Sequence, residues 1–244
     1  MRPTVFQSAR RVASVAALLL LPAAPTASAH AQQPTRPPAP APLRPASFPP
    51  FQEATLANGV RVVLVESHRD PVVAFRLVLP AGSLYDAKGK EGTAAMVAGL
   101  LTKGAGSRSA EQVAEAIESA GGTLVGFADR DFLSVAGQVL SENAPLAFAL
   151  LGDAVARPAF AEREVELLRT QTLSGLQLEE AQPDAIASKA FAAGLYGAHP
   201  YGRTASSAST RAITRGDLTA FQQARLRPRG ALLVVAGDVT MPQL

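Results

Sequence analysis

Residues 82–104 read GSLYDAKGKEGTAAMVAGLLTKG, and this stretch decides which fold the chain takes. A glycine-rich segment that ends at Gly92 is followed by a run of small and apolar residues that continues to Leu101. Glycine supplies the backbone freedom that tight turns need, and a helix that is apolar on all sides is typical of a protein interior. The sequence therefore predicts a buried helix over 92–101 that follows a tight loop.

The segments around this helix predict a mixed domain of α-helices and β-strands. Asn58-Gly59 lies between two extended runs and indicates a hairpin, and Ser109 with Gln112 forms a capping box at a helix start. Strands are predicted over 53–56, 60–67, 72–79, 123–128, 132–140 and 231–237, and helices over 109–120, 143–157 with Asn143 as cap, 161 onward, 183–195 and 217–225. Strict βαβ alternation is missing, so the predicted fold class is α+β, a largely antiparallel sheet with helices packed on one face.

The first 50 residues differ in composition from the rest. Arg2, Arg10 and Arg11 precede a short apolar run and a small-residue cleavage pattern at 29–31, which predicts a signal peptide over residues 1–31. Residues 32–50 are rich in Pro and Ala and are predicted to be a linker before a folded domain over 51–244. The apolar run is shorter than the ~20 residues that span a bilayer, so we expect no stable membrane anchor and a periplasmic or secreted product.

Composition excludes several classes of function. The chain has no cysteine, so disulfides, thiol catalysis and lipid attachment at cysteine are excluded. Three of the 23 Lys and Arg residues lie in the predicted signal peptide, and the remaining 20 balance the 20 acidic residues. That balance gives no field suited to nucleic acid, and the sequence has no phosphate-binding loop motif and no G-x-S-x-G nucleophile elbow.

Five motifs, in the same order, resemble the M16 family of zinc peptidases, which includes pitrilysin, insulinase and the mitochondrial processing peptidases. They span nearly the whole of 51–244 and are the hairpin 56–62, the stretch 82–104, the helix-to-strand turn 117–123, the loop 198–202 and the strand 232–239. The resemblance implies an M16 or LuxS-like metallohydrolase half-subunit. Subunits of this family usually contain two similar domains, so we expect 51–244 to be the N-terminal one, without the second domain.

The resemblance also implies where a catalytic site would lie, and the residues that it requires are replaced. Active members carry H-x-x-E-H on the helix, where the two histidines bind zinc and the glutamate activates water, and a further glutamate ligand lies downstream. The matching positions are Ala95, Ala98 and Gly99. The distal ligand position falls around Ser174, Gly175 or Leu176, with Gly175 the best fit, and none of these is a carboxylate. We therefore expect no catalytic site, no metal and no cofactor in this chain. Apolar neighbours such as Leu176, or a small dry cavity, are expected in the space left on the helix.

Other candidate groups favour structural roles. His68 and His199 lie in separate predicted loops without a second histidine at ligand spacing, so both are interpreted as loop residues. Asp129 and Asp131 could share one face as a carboxylate pair, but a solvated turn with Arg130 between them is the preferred interpretation.

The strand that follows Gly121-Gly122 corresponds to the edge strand with which active relatives pair their substrate peptides. The residues at these positions are Thr123, Leu124, Val125, Gly126 and Phe127. Active relatives usually have Asn-Ala where this chain has Val125-Gly126. Pairing through backbone groups survives that change, whereas a contact from the asparagine side chain does not.

Together these features predict an exported, catalytically inactive M16-type domain. The resemblance implies a non-catalytic subunit or peptide-binding partner of an active zinc peptidase that carries H-x-x-E-H, with zinc only in that partner and peptides as possible ligands. Two alternatives stay open. One is a stand-alone peptide-binding module, and the other is a metalloendopeptidase with an unrecognised site.

Overall fold

A computed structural model describes residues 48–244 of the chain. The predicted signal peptide and most of the predicted linker lie outside the described residues, and both stay predictions. In the described range, no helix combines the length and the apolar character that crossing a membrane requires.

Six strands form one mixed sheet in the order β1-β2-β6-β3-β5-β4. Four of the five neighbouring pairs are antiparallel, and only β2 and β6 run parallel. The strands are β1 Gln52–Thr55, β2 Arg61–Glu66, β3 Val72–Leu79, β4 Thr123–Ala128, β5 Leu133–Leu140 and β6 Leu232–Gly237. This sheet confirms the predicted α+β class and its largely antiparallel character.

The helices cover one face of this sheet. Along β3, the residues Val73, Phe75, Leu77 and Leu79 are buried while Ala74 and the other alternate residues are more exposed, because successive strand residues point to opposite faces. The helices are α1 Thr93–Leu100, α2 Ala110–Ser119, α3 Ala144–Ala156, α4 Glu162–Glu180, α5 Pro183–Tyr196, α6 Ser207–Ala212 and α7 Arg215–Arg225.

Helix α1, which lies within the stretch 82–104, packs between the sheet and other helices. α1 contacts β4 and β5 on the sheet side and α4 and α7 on the other side. Met96, Val97 and Leu100 are almost completely inaccessible to solvent. The prediction of a buried helix at this place is confirmed, and the contacts of α1 explain why its sequence carries no charge.

The structure differs from the sequence expectations at two places. Between the predicted helices 183–195 and 217–225, where the sequence predicts no helix, the structure has α6. It begins where the Ser206 hydroxyl accepts a hydrogen bond from the Ser209 backbone N–H at 3.1 Å. Asn143 is the N-cap residue of α3, as predicted, but its side chain makes no capping hydrogen bond. The amide of Asn143 donates to the carbonyl of Ala120 at 3.3 Å instead, so it ties the start of α3 to the end of α2.

Candidate functional site

The three α1 positions that would carry H-x-x-E-H have different surroundings. Ala95 is exposed, Ala98 is buried and Gly99 is half-buried. Ala95 lines a hollow of about 280 Å³ whose wall also includes Ala128 at the end of β4 and Arg130 in the turn that follows. None of the three side chains holds an atom that could bind a metal or accept a proton.

The space beside Gly99 is occupied by a side chain of α4. An ideal Cβ at position 99 would lie 3.1 Å from the Cδ2 atom of Leu168, and the only other neighbour within 4 Å is a second methyl group of Leu168. The expectation of an apolar filler is therefore confirmed in kind, but the residue is Leu168 and not Leu176. A larger side chain at position 99 requires Leu168 to move.

The position predicted for the distal ligand faces open space. Gly175 is exposed on α4, and an ideal Cβ there would meet no atom within 4 Å. Across residues 48–244, no three side chains of His, Cys, Asp or Glu come together in a way that could hold a metal ion. The residues at Ala95, Ala98, Gly99 and Gly175 therefore do not fit a zinc ion.

A buried carboxylate holds the start of α1. Asp86 accepts hydrogen bonds from the backbone N–H groups of Gly92 and Ala94, at 2.8 and 2.9 Å. Burial raises the pKa of this carboxyl from 3.8 to about 6, although the two backbone donors oppose the shift. Arg203 donates to the carbonyl oxygen of Asp86 at 3.2 Å and pairs with Glu91 at 3.6 Å. These acids fix the loop and the helix start, which explains their place near the hollow.

The strand β4 lies at the edge of the sheet, as the sequence predicts. It pairs with β5 alone among the strands of residues 48–244. Leu124 points into the core, whereas Val125 and Phe127 are 59% and 57% exposed. An edge strand of this kind has backbone N–H and C=O groups that no neighbour on that side satisfies. Peptide binding by residues 123–127 stays a prediction.

The backbones of α1 and β4 come into direct contact at Gly126. An ideal Cβ on Gly126 would approach the carbonyl oxygen of Ala98 to less than 3.0 Å, which real Cβ atoms essentially never do. Glycine is therefore required at position 126 for sterics, and the contact holds the helix close to the edge strand.

The turn after β4 carries a cationic and aromatic cluster that sequence reasoning missed. The Arg130 guanidinium carbon lies 5.7 Å from the ring centre of Tyr196 and 5.4 Å from that of Tyr201. The Tyr201 hydroxyl hydrogen-bonds to the Asp131 carboxylate, which raises the pKa of Tyr201. The motif 198–202 is visible in the sequence, but no local pattern connects its tyrosine to an arginine about 70 positions earlier.

Asp129 and Asp131 do not form a carboxylate pair. Asp129 accepts a hydrogen bond from the Arg130 backbone N–H at 2.7 Å, whereas Asp131 binds Tyr201. The two carboxylates therefore serve separate local contacts, which agrees with the interpretation of a turn.

The two histidines lie in loops, as the sequence predicts. The ring nitrogens of His68 lie 2.5 Å from Asp238 and 2.8 Å from Glu66, and these carboxylates raise the pKa of the imidazole. His199 accepts a hydrogen bond from the Tyr201 backbone N–H at 3.2 Å. Each histidine joins neighbouring loop or strand-end residues.

Comparisons with a family model and with curated relatives point to the same family. The model of insulinase (peptidase family M16) matches residues 61–209. An uncharacterized zinc protease from Mycobacterium tuberculosis is 29% identical over 200 residues, which are 81% of this chain and 46% of that protein. The chain thus spans about half the length of the curated relatives it matches.

Solved structures agree with this comparison. The crystal structure of a peptidase M16 inactive domain from Pseudomonas fluorescens has a TM-score of 0.74 at 26% identity, over 80% of this chain and 48% of that one. The periplasmic protease PqqL from Escherichia coli has a TM-score of 0.70 at 18% identity, over 82% of this chain and 23% of that one, a likeness of fold alone. With the family model matched over residues 61–209, these likenesses lead to one conclusion: the chain belongs to the M16, or insulinase, family of peptidases.

Proposed function

We propose that this chain is an exported, catalytically inactive M16 member that binds extended peptides along β4 and acts as the non-catalytic partner of an active zinc peptidase. One observation carries the proposal. The positions that the resemblance assigns to the three metal ligands and the catalytic glutamate hold only Ala95, Ala98, Gly99 and Gly175, and Leu168 occupies the volume beside Gly99. A site without imidazole or carboxylate groups supplies neither zinc ligands nor a base for water activation.

Peptide binding rests on the free edge of the sheet. An extended peptide that adds to β4 gains main-chain hydrogen bonds with the strand, whatever its side chains are. The exposed side chains of Val125 and Phe127 offer apolar contact on one face of the added strand. The contact between Gly126 and Ala98 keeps α1 against the other face, which supports the strand during binding.

The partner role rests on the family. The P. fluorescens relative is named an inactive domain. In this proposal the active subunit carries H-x-x-E-H and the zinc, and β4 of this chain contributes to holding the peptide. Export rests on the basic, apolar and small-residue pattern of the first 31 residues.

A direct test measures zinc content and peptidase activity in the purified chain. We expect neither stoichiometric zinc nor EDTA-sensitive cleavage, and both together would overturn the proposal of inactivity. Mass spectrometry of the exported product, with cleavage expected after position 31 or close to it, tests the signal peptide.

A matched pair of variants tests the peptide edge. Val125→Lys places a charge on the edge strand, and Val234→Lys places the same charge on β6, which is flanked by strands on both sides. We expect weaker binding of a labelled extended peptide by the first variant and unchanged binding by the second. Equal binding by both variants contradicts the assignment of β4.

A second candidate function is a stand-alone peptide-binding module, which the exposure of Val125 and Phe127 on the edge strand also favours. Purification of the chain from an extract of the export compartment separates the two candidates. Stoichiometric recovery of a protein with H-x-x-E-H supports the partner role, whereas peptide binding without such a protein supports the module.

A further inference from the structure

The Arg130 guanidinium packs against aromatic rings and takes part in no ion pair among residues 48–244. It lies over the rings of Tyr196 and Tyr201, and it has no carboxylate partner within 4.0 Å in that range. The neighbouring acids have other partners, since Asp129 accepts the Arg130 backbone N–H and Asp131 binds Tyr201. A cation beside aromatic rings keeps its charge, so the N–H groups of Arg130 are available to a carboxylate.

A hollow of about 470 Å³ lies beside this guanidinium. Arg130 forms one side of it, and α5 forms the other with Ala187, Phe191 and Tyr196. Phe191 is 68% exposed, although burying a phenylalanine side chain is favourable. An exposed aromatic side chain that borders a cationic group gives the hollow one apolar wall and one charged wall.

Arg130 also joins this hollow to the region of the degenerate metal site. It lines the second hollow, of about 280 Å³, together with Ala95 of α1 and Ala128 at the end of β4. The two hollows therefore meet at Arg130, directly beyond the edge strand. A peptide that pairs with β4 and continues past Ala128 passes the guanidinium, and space for it continues on the far side.

The two hollows that meet at Arg130 form one groove. We infer that this groove selects extended peptides with an internal Asp or Glu next to a bulky apolar residue, an inference that rests on the peptide-binding function proposed above. The acidic side chain binds the edge of the Arg130 guanidinium, and the apolar residue enters the hollow against Phe191. A side chain within the peptide is the source of the carboxylate, because space continues on both sides of Arg130. Three acids line the second hollow, and each has a partner of its own. Asp86 accepts from the backbone of Gly92 and Ala94, Glu91 pairs with Arg203, and Asp129 accepts the Arg130 backbone N–H.

Fluorescence anisotropy with labelled peptides tests the inference. The peptides carry blocked ends and differ at one position, Leu-Glu against Leu-Gln, so that only the internal charge changes. The protein variants are Arg130→Gln and the control Arg227→Gln, which removes an exposed arginine from the loop before β6. We expect the wild type and the control to bind the Glu peptide about tenfold more tightly than the Gln peptide, and Arg130→Gln to bind both alike.

A second comparison tests the apolar half of the groove. Phe191→Ala is expected to weaken binding of the Leu-Glu peptide but not of an Ala-Glu peptide, so that the two changes are coupled in a double-mutant cycle. The preference for Glu is expected to decrease at high salt, because the pair is near the surface.

The outcomes separate this inference from the function on which it rests. Binding of all peptides with equal affinity, unaffected by Arg130→Gln, overturns the selectivity and leaves peptide binding intact. Loss of the Glu preference in Arg227→Gln also overturns the proposed selectivity, because the preference then depends on the net charge of the protein and not on Arg130. A complete lack of peptide binding overturns both proposals.

Discussion

The carbonyl oxygen of Ala98 lies against Gly126, so close that a methyl group at position 126 could not be accommodated without backbone movement. Ala98 belongs to α1 and Gly126 to the edge strand β4. The helix that carries the altered motif and the strand proposed to bind peptides are therefore packed as one unit.

Replacement of Gly126 by alanine tests this contact. The new methyl group must push α1 and β4 apart, and we expect Gly126→Ala to lower the free energy of unfolding by about 1–3 kcal/mol. Gly175→Ala is the matched control, because no atom lies within 4 Å of the place that its new methyl group would take on the exposed side of α4. The control is expected to raise stability by about 0.5–1 kcal/mol, since alanine favours the helix. Urea denaturation measures the change in the free energy of unfolding for both variants. A change of the same sign in both contradicts the contact.

Histidine substitutions on α1 probe the space that a metal site would need. Gly99→His forces Leu168 out of its position, so we expect a loss of about 1–3 kcal/mol in the free energy of unfolding. Ala95→His places the same side chain on the exposed side of the helix, where the expected change is within about 0.5 kcal/mol. Thermal and urea unfolding distinguish them. Equal tolerance at both positions means that Leu168 does not restrict the site.

The buried carboxyl of Asp86 makes stability depend on pH. Its pKa is raised from 3.8 to about 6 by burial, so between these values the folded state holds a proton that the unfolded state has lost. The free energy of unfolding therefore falls as pH rises through this window, by roughly 3 kcal/mol for a shift of this size. Asp86→Asn lacks this contribution. Urea denaturation from pH 4 to 7 measures the difference between the two proteins, and parallel curves would contradict the raised pKa.

The carboxylates beside His68 make stability depend on pH in a higher range than Asp86 does. Hydrogen bonds from the imidazole to Asp238 and then Glu66 raise the pKa of His68 above 6.5. Its contribution to stability is complete below pH 6.5 and is lost as pH rises through the raised folded pKa. Titration by two-dimensional NMR measures the pKa of His68 directly. We expect Asp238→Asn to bring it back toward 6.5 and Glu66→Gln to lower it less, and an unchanged pKa in Asp238→Asn would falsify the assignment.

Local sequence patterns predicted much of the fold correctly. The strands predicted over 72–79 and 123–128 coincide with the observed bounds of β3 and β4, and the apolar run identifies α1. In contrast, α6 has the sequence SASTRA, which carries no apolar period, so its position depends on a serine cap and on tertiary contacts. The parallel pairing of β2 with β6 also joins distant segments that no local pattern connects.

The candidate site shows the same limit. Side-chain chemistry at Ala95, Ala98 and Gly99 is evident from the sequence, because it depends only on residue identity. The residue that fills the space beside Gly99 is not evident from the sequence. Leu168 and Leu176 lie on one stripe of α4, and only the packing of that helix selects between them. Arg130 is missed for the same reason, since its aromatic neighbours come from other segments of the chain.

The contact between Leu168 and Gly99 bears on how this protein can evolve. A histidine gained at position 99 would first meet Leu168 and would lower stability before any metal could reward it. In an inactive member of the kind proposed above, a larger side chain at position 99 therefore needs an accompanying change at Leu168 to make room. The neighbouring helix α4 thus restricts which single substitutions α1 can accept.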